Sequence, residues 1–290
     1  MSRRKNLTPG RVVLYAVLLL GSVLMIGPFI WMILTALKST GEVSTFSWLP
    51  TTFYWNNFAE AMNAAPFLRY FWNSLVLTVG ETALTLVFCT MAGYALAKAP
   101  IRGAKGLLNY FIALMMVPFQ IILVPLFLLV KSMPLFGGND ILGQGGTGWL
   151  NTWWALIIPL AIAPLYTFLA RQFYVTLPSE LADAARMDGL GEFGIFFRIM
   201  TPLIKPALVT IGVFQIEAAW NSFLWPLIVT NSDELRPLQV GLAIFSQDPL
   251  NVQWPYLMAG ATLATLPMII LFIFAQRRFV EGMASAGLKG

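Results

Sequence analysis

The sequence contains no histidine and one cysteine, and only 11% of its 290 residues are charged. Without histidine there is no His-ligated metal site, no Ser-His-Asp triad and no imidazole acid–base chemistry. A single cysteine, Cys89, excludes an intrachain disulfide and a cysteine-rich metal or redox site. A soluble domain carries roughly 25% charged residues, so the low charge excludes a water-soluble globular protein. The 58% hydrophobic content also excludes a disordered chain.

Long apolar stretches dominate what the sequence does contain. A bilayer core about 30 Å thick needs about 20 mostly apolar residues per helix. Six segments have this character, at approximately residues 12–36, 74–97, 107–130, 152–170, 206–230 and 256–276. Because lipid offers the backbone no hydrogen-bond partner, these segments are predicted to be helices. The sequence therefore predicts an all-α polytopic membrane protein with six transmembrane helices, in a single domain over residues 1–290.

The basic residues are distributed unevenly between the segments that join the spans. If the N-terminus is inside, 14 of the 18 Lys and Arg residues fall in inner segments. This bias predicts that both the N- and C-termini are cytoplasmic. It argues against nucleic-acid binding, because no basic patch is concentrated on a folded soluble face.

The longest predicted cytoplasmic segment, residues 171–205, reads as two short helices. Pro178 suits the first turn of a helix whose apolar face is formed by Leu181, Ala184, Ala185 and Met187. Gly189 fits the position after that helix, where a left-handed backbone is needed. A second helix, about Glu192–Met200, is predicted to stop before Pro202. A small-residue face lets another protein's backbone come close, but a solvated amphipathic hairpin on the membrane surface fits the pattern equally well.

Residues 177–208 resemble the EAA loop of ATP-binding-cassette importer permeases. The matching positions are Pro178, Leu181, Asp183-Ala184-Ala185, Gly189, Phe196, Pro202 and Pro206. The first EAA position is Asp183 instead of Glu, which keeps the charge and shortens the side chain by one methylene. Other stretches resemble the maltose-permease-like carbohydrate branch of this family, namely FLRYFWNSL (67–75), AGYALAK (92–98), MVPFQIILVPLF (116–127), WNSFLWPL (220–227) and RRFVEGMASAGLKG (277–290).

This resemblance implies the type I importer permease fold and the role of channel-forming subunit in an ATP-driven sugar importer. It implies that the first loop helix is a coupling helix that docks on a cytoplasmic ATPase. The residues assigned to this coupling are Glu180, Leu181, Asp183, Ala184, Ala185, Arg186, Asp188 and Gly189. The sequence has no G-x-x-x-x-G-K-[ST] motif, so no cofactor is expected in this chain, and ATP and Mg would be bound by a partner ATPase dimer.

Other partners and the location also follow from the resemblance. The partners would be a second homologous permease, an extracytoplasmic solute-binding protein, the sugar and membrane lipid. The outer segments 37–73 and 131–151 are natural docking surfaces for the binding protein. The second contains six glycines, typical of either an ordered, turn-rich loop or a flexible one. The expected location is the cytoplasmic membrane of a bacterium or archaeon.

Polar side chains in the fifth span predict a substrate pathway. At 100° per residue, Thr210, Glu217 and Asn221 lie within about 40° of each other on one helix face, and Phe214 flanks them. Polar groups beside an aromatic ring suit a sugar. The alternative is a packing contact with the partner permease or with Glu81 of the second span. Gln120 is a candidate for one of two roles. It either lines the pathway or donates hydrogen bonds to backbone carbonyl groups that proline kinks leave unpaired.

Two other functions compete with this interpretation. A proton-coupled secondary transporter or channel would use the intramembrane carboxylates Glu81 and Glu217, but it leaves the 171–205 loop unexplained. An intramembrane enzyme would need a nucleophile with a base or a paired-carboxylate motif, and the sequence offers neither.

Overall fold

A computed structural model of the chain describes residues 9–45, 47–246 and 252–287. Regular structure within these ranges is helical, with no strand among them, so the predicted all-α class is confirmed. Four basic residues that support the predicted orientation, Arg3, Arg4, Lys5 and Lys289, lie outside the described residues, as does the end of the 277–290 stretch. The helices are α1 (Pro9–Ala36), α2 (Thr40–Val43), α3 (Asn56–Asn63), α4 (Phe67–Lys98), α5 (Ala104–Met115), α6 (Phe119–Lys131), α7 (Trp153–Ala161), α8 (Pro164–Val175), α9 (Glu180–Met187), α10 (Glu192–Leu203), α11 (Lys205–Trp220), α12 (Leu224–Val229), α13 (Leu238–Leu242) and α14 (Trp254–Gly287).

Three of these helices, α1, α4 and α14, contain an unbroken apolar run long enough to cross a membrane. The apolar side chains of α1 are exposed over most of its length, as expected for a helix that contacts lipid. Helix α4 has 32 residues, which corresponds to about 48 Å at 1.5 Å per residue. Because the bilayer core is only about 30 Å thick, α4 is long enough to extend beyond it.

The third and fourth apolar segments are each broken by a proline. Helices α5 and α6 differ in direction by 104°, and α7 and α8 by 44°. Pro118 and Ala163 both have extended backbones, with ψ of 138° and 137°. Ala163 precedes Pro164, whose ring disfavours a helical conformation in the residue before it. The six apolar stretches therefore give six spans only if each bent helix pair counts as one span.

The fifth segment differs from the expected span 206–230. Helix α11 ends at Trp220, and the chain restarts as α12 at Leu224. A continuous helix would place Pro226 in its interior, where the ring clashes with a carbonyl of the preceding turn. The restart places Pro226 in the first turn of α12. Backbone N–H groups there have no partner within the helix, so a proline costs no helical hydrogen bond.

The second loop helix was predicted to stop before Pro202, and this is wrong, because α10 continues to Leu203. Residues Ile195–Met200 form a π-helical turn directly before this proline. A π turn shifts the backbone hydrogen-bond pattern, which is how the helix accommodates a residue without an N–H. Helices α10 and α11 then differ in direction by 86° across Ile204.

The described chain divides into two compact units. The first contains the described parts of residues 1–67 and 242–266. Within it, the buried Lys38 ammonium lies 4.8 Å from the centre of the Trp31 ring, and Asn57 Nδ2 donates to the carbonyls of Ala36 and Lys38 at 2.8 Å each. These bonds hold α3 against the end of α1.

The second unit contains residues 68–241 and the described part of 267–290. One of its cores surrounds Leu77, Leu156 and Trp225. The indole Nε1 of Trp225 donates to the Ala155 carbonyl at 2.8 Å, so this buried ring has its polar atom satisfied. A second core includes Tyr94 and reaches the loop that carries α9.

The glycine-rich segment 131–151 is an ordered loop. Asn139 Nδ2 donates to the carbonyls of Lys131 and Met133, at 2.8 and 3.0 Å, and Asn139 Oδ1 accepts from the Gly146 N–H at 2.8 Å. Gly148 has φ +58°, and a Cβ there would approach the Lys131 carbonyl oxygen to 2.2 Å. The glycines thus allow the backbone to fold closely on itself.

The orientation of the chain can be tested with two exposed positions, Leu142 in the glycine-rich loop and Met187 at the end of α9. In a Cys89→Ala background, we expect Leu142→Cys to react with an impermeant maleimide added to intact cells. Met187→Cys should react only after the cells are permeabilised, because the basic bias places α9 inside. Labelling of position 187 but not 142 in intact cells would reverse the predicted orientation.

Candidate functional site

The sequence around α9 provides signals for both ends of the helix. Ser179 is the N-cap, and Glu180 and Asp183 lie in the first turn, where acidic side chains favour the helix dipole. Pro178 lies one residue before the N-cap. The sequence analysis had placed it in the first turn, and this is wrong. A helix this short is marginal on its own, so its ends and packing decide whether it forms.

The C-terminal end of α9 is closed by a Schellman motif. Gly189 has φ +83°, confirming the predicted left-handed residue. Its N–H donates to the Arg186 carbonyl, and the N–H of Leu190 donates to the Ala185 carbonyl, at 3.0 Å each. These are the two bonds that define the motif. A Cβ at Gly189 would meet no atom within 4 Å, so the requirement for glycine here is conformational and not steric.

The apolar residues of α9 divide between two faces, which the sequence did not separate. Ala182 and Ala185 are buried, whereas Leu181, Ala184 and Met187 are exposed. Ala185 therefore packs against its own chain and does not share one outward face with the other three. Met187 is the most exposed of them, at 89%.

Exposed apolar side chains continue from α9 into α10. Phe193 is 68% exposed and Phe197 also lies on the surface. We define the outward loop surface as the five exposed residues Leu181, Ala184, Met187, Phe193 and Phe197. Exposed apolar side chains of this kind are candidates for contact with another molecule.

Arg186 connects α9 to two other parts of the chain. Its Nε donates to Glu192 Oε1 at 2.7 Å, its Nη1 to Asp183 Oδ1 at 2.7 Å, and its Nη2 to the Lys98 carbonyl at 3.2 Å. The Glu192 carboxylate raises the pKa of the Arg186 guanidinium through this hydrogen bond. The same bond from Arg186 lowers the pKa of Glu192. Both groups are therefore charged at neutral pH and held in one arrangement.

The predicted pathway residues share the exposed side of α11. Glu217 and Asn221 are joined by a hydrogen bond of 2.9 Å from Asn221 Nδ2 to Glu217 Oε1. Gln239 Nε2 lies 3.5 Å from Asn221 Oδ1, so the polar stripe continues towards α13. Thr210 donates to the Pro206 carbonyl of its own helix, and Phe214 is 44% exposed beside the stripe. Within the described residues, the side chains of Glu217 and Asn221 are exposed.

Glu81 lies on the opposite side of α11 from this stripe. It is 2% exposed, and its Oε2 accepts from the buried Gln215 Nε2 at 2.9 Å. The sequence left open a contact between Glu81 and Glu217, but the structure pairs Glu81 with Gln215 and Glu217 with Asn221. Gln215 was missed by the sequence analysis, although a polar residue in an apolar helix two positions before Glu217 was a usable signal.

Gln120 is exposed at the start of α6, and no hydrogen bond within the described part of the chain joins it to the polar stripe. Lys98 and Tyr94, which bond to the α9 loop, were also missed, because no local pattern reveals a contact across 80 or more positions. Among the described residues no cluster of acidic and cysteine side chains could hold a metal ion.

The chain is similar in sequence to proteins of one family. Residues 86–285 match the family described as "Binding-protein-dependent transport system inner membrane component". The chain is 34% identical to the Arabinooligosaccharides transport system permease protein AraQ of Bacillus subtilis (strain 168), over 97% of this chain and 96% of that protein. It is 35% identical to the protein of the same name from Halalkalibacterium halodurans, over 91% of each.

A solved structure shares the fold at lower sequence identity. It is a chain of a bacterial ABC transporter involved in the import of the acidic polysaccharide alginate. The TM-score is 0.78 at 22% identity, with 96% of this chain and 98% of that chain covered.

The role of Gly189 can be tested against a matched glycine. Gly189→Ala should cost about 1 kcal/mol, because a Cβ is unfavourable in a left-handed backbone. We expect amide exchange at Leu190, the N–H that closes the motif, to become about fivefold faster in hydrogen-exchange mass spectrometry. Gly191→Ala is the control, since Gly191 has φ −73° and open space around it. Equal exchange in both variants would contradict this account of the helix end.

Proposed function

The chain belongs to the family of binding-protein-dependent transport system inner membrane components, and on this premise we propose that it is the channel-forming permease subunit of an ATP-driven carbohydrate importer. The observation that carries the proposal is the α9 loop, a capped helix held against the spans with its apolar side exposed. In a permease that is driven by a separate ATPase, such a helix is the expected point of contact with that ATPase. The chain is accordingly a transport subunit and not an enzyme.

We propose that the outward loop surface docks on the ATPase, with Glu180, Leu181, Asp183, Ala184, Asp188 and Gly189 at or beside the contact. Ala185 and Arg186 support this surface from within, since the first is buried and the second is bonded to α4 and α10. ATP and Mg would be bound by the ATPase. Closure of the ATPase pair would then push on α9, which is a rigid-body form of conformational switching.

The polar stripe on α11 is the proposed substrate pathway. Thr210, Glu217 and Asn221 expose hydroxyl, carboxylate and amide groups beside Phe214, a combination that binds sugar hydroxyls and stacks on a sugar face. This stripe would face a second, homologous permease subunit across a water-accessible route, with Gln120 as a further lining residue. A solute-binding protein would deliver the carbohydrate from outside, and segments 37–73 and 131–151 are its proposed docking surfaces.

A proton-coupled secondary transporter is less well supported. The family match and the relatives favour an ATP-driven permease over that alternative. The two carboxylates that such a transporter would use lie on opposite sides of α11. Glu81 is bonded to Gln215, and Glu217 is bonded to Asn221. The cell membrane location follows from the family, and we propose a bacterial cytoplasmic membrane, since both arabinooligosaccharide relatives are bacterial.

The function is tested by reconstituting the chain with a second permease, an ATPase and a solute-binding protein from the same organism. We expect vesicles to accumulate a carbohydrate from a panel of arabinotriose, lactose and diacetylchitobiose, and only when ATP reaches the ATPase. Uptake driven by a proton gradient in vesicles that contain the chain alone would favour the alternative transporter.

The pathway is tested by Asn221→Leu and Glu217→Gln in the same vesicles. Loss of one hydrogen bond to a passing sugar should slow uptake about two- to tenfold. The affinity of the binding protein should stay unchanged, because that protein is a separate chain. Asn109→Leu and Glu234→Gln serve as controls, since both residues are exposed elsewhere. Wild-type uptake by both pathway variants would make the stripe a packing feature.

The ATPase contact is tested by Met187→Asp, which places a charge at the most exposed apolar position of α9. Burying an unpaired carboxylate costs several kcal/mol, so the ATPase should no longer co-purify with the permease pair. Leu142→Asp is matched for exposure in the glycine-rich loop and should leave co-purification intact. Normal recovery of the ATPase with Met187→Asp would place the docking surface elsewhere.

A further inference from the structure

The inner end of α4 is bonded to the α9 loop at several points. Tyr94 Oη donates to Glu192 Oε2 at 2.7 Å, and Lys98 Nζ donates to the Leu177 carbonyl at 2.6 Å and to Ser179 Oγ at 3.1 Å. Arg186 bonds to the Lys98 carbonyl and to both oxygens of Glu192. We call the four side chains of Tyr94, Lys98, Arg186 and Glu192 the α4 clamp.

Helix α9 has stabilising contacts of its own besides the clamp. That helix is closed by its own Schellman motif at Gly189 and Leu190, and its buried side is held by Ala182 and Ala185. The clamp differs from these contacts because it bonds to the chain both before and after the helix. Lys98 holds the chain before α9, at Leu177 and Ser179, while Arg186 and Tyr94 hold Glu192 after it.

Packing and hydrogen bonds act together at this contact. Tyr94 is buried, and its ring lies 5.6 Å from the rings of both Phe196 and Tyr174, so α4 packs against α10 and α8. Beside them is a cavity of about 160 Å³ lined by residues that include Tyr94, Ala95 and Glu192. Both residues of the Tyr94–Glu192 hydrogen bond therefore line this cavity, and the bond is the polar part of a packed contact.

The Arg186–Glu192 pair is stronger than an ordinary surface ion pair. An exposed single-contact pair contributes about 0–1 kcal/mol, which describes Arg186 with the mostly exposed Asp183. Glu192 accepts from two nitrogens of the guanidinium, at 2.7 and 3.3 Å, and from Tyr94 as well. Bidentate contact with charge fixes the relative orientation of the two groups.

A movement of α9 must consequently move α4, unless the clamp opens. Helix α4, about 48 Å long at 1.5 Å per residue and with a π-helical turn at Thr85–Cys89, would carry that movement across the membrane. The other route out of the loop runs through α10 into α11 and is bent by 86° at Ile204. We propose that the α4 clamp transmits the movement of the coupling helix to α4, so that Tyr94, Lys98 and Glu192 are positioning residues for transport. This inference rests on the proposed function.

The test uses the reconstituted importer and measures carbohydrate transported per ATP hydrolysed. The variants are Glu192→Gln, Tyr94→Phe and the exchange of charges in Arg186→Glu with Glu192→Arg. Controls are Glu234→Gln and Tyr110→Phe, which change the same groups at exposed positions outside the clamp. The probe is whichever of arabinotriose, lactose or diacetylchitobiose the wild-type complex transports, and recovery of the assembled complex is measured for each variant.

We expect Glu192→Gln and Tyr94→Phe to assemble normally but to transport at least about fivefold less sugar per ATP, the lower end of typical coupling between sites. The charge exchange should recover part of the loss, which a purely structural role of either residue would not produce. If Glu192→Gln does not assemble, the conservative Tyr94→Phe decides the outcome.

Two failures can be told apart. A wild-type complex that neither assembles nor transports would overturn the proposed function and this inference with it. A functional wild type whose Glu192→Gln and Tyr94→Phe variants keep its transport per ATP would overturn the clamp alone.

Discussion

The rest of this structure depends on one constraint, that a peptide group in lipid must find its hydrogen-bond partner within the protein. An unbroken helix meets this requirement, and α1, α4 and α14 do so over lengths that cross a bilayer. Proline removes one backbone hydrogen bond from a helix interior. The helices α1 and α14 each contain one interior proline, Pro28 and Pro267. Elsewhere the chain turns at Pro118 and before Pro164, and it restarts so that Pro226 enters a first turn. These breaks leave α4 as the long helix of the second unit.

The same constraint explains how polar side chains are distributed around α11. A carboxyl group among apolar helices needs a partner, and Glu81 has Gln215 in the core. Glu217 is bonded to Asn221 on the other side, and both are exposed in the part of the chain that the structure describes. One helix thus carries a buried pair that joins it to α4 and an exposed pair that is available to a substrate. Helix α11 also follows the α9 loop directly, so the proposed ATPase contact and the proposed pathway lie on neighbouring segments of the chain.

Much of this organisation could be predicted from sequence because it depends on local rules. Apolar length identified the segments, the left-handed position identified Gly189, and the 100° step placed Thr210, Glu217 and Asn221 on one face, since all three lie within or directly after one helix. The burial of Ala185 could not be predicted, because Ala182, Ala184 and Ala185 give the same composition whichever side faces inward. The partners of Arg186 and Lys98 could not be predicted for another reason, because they depend on how distant segments pack. The 86° bend at Ile204 has no signal in the apolar pattern alone.

We propose that ATP binding by an ATPase docked on the outward loop surface changes access to the polar stripe through the α4 clamp. The most direct measurement is the reaction rate of Asn221→Cys with an aqueous maleimide, in the complete importer and a Cys89→Ala background, with and without ATP. The account predicts a rate that changes with ATP when the clamp is intact and stays constant when Glu192→Gln is added. A rate that changes with ATP equally in both backgrounds, or in neither, would contradict it.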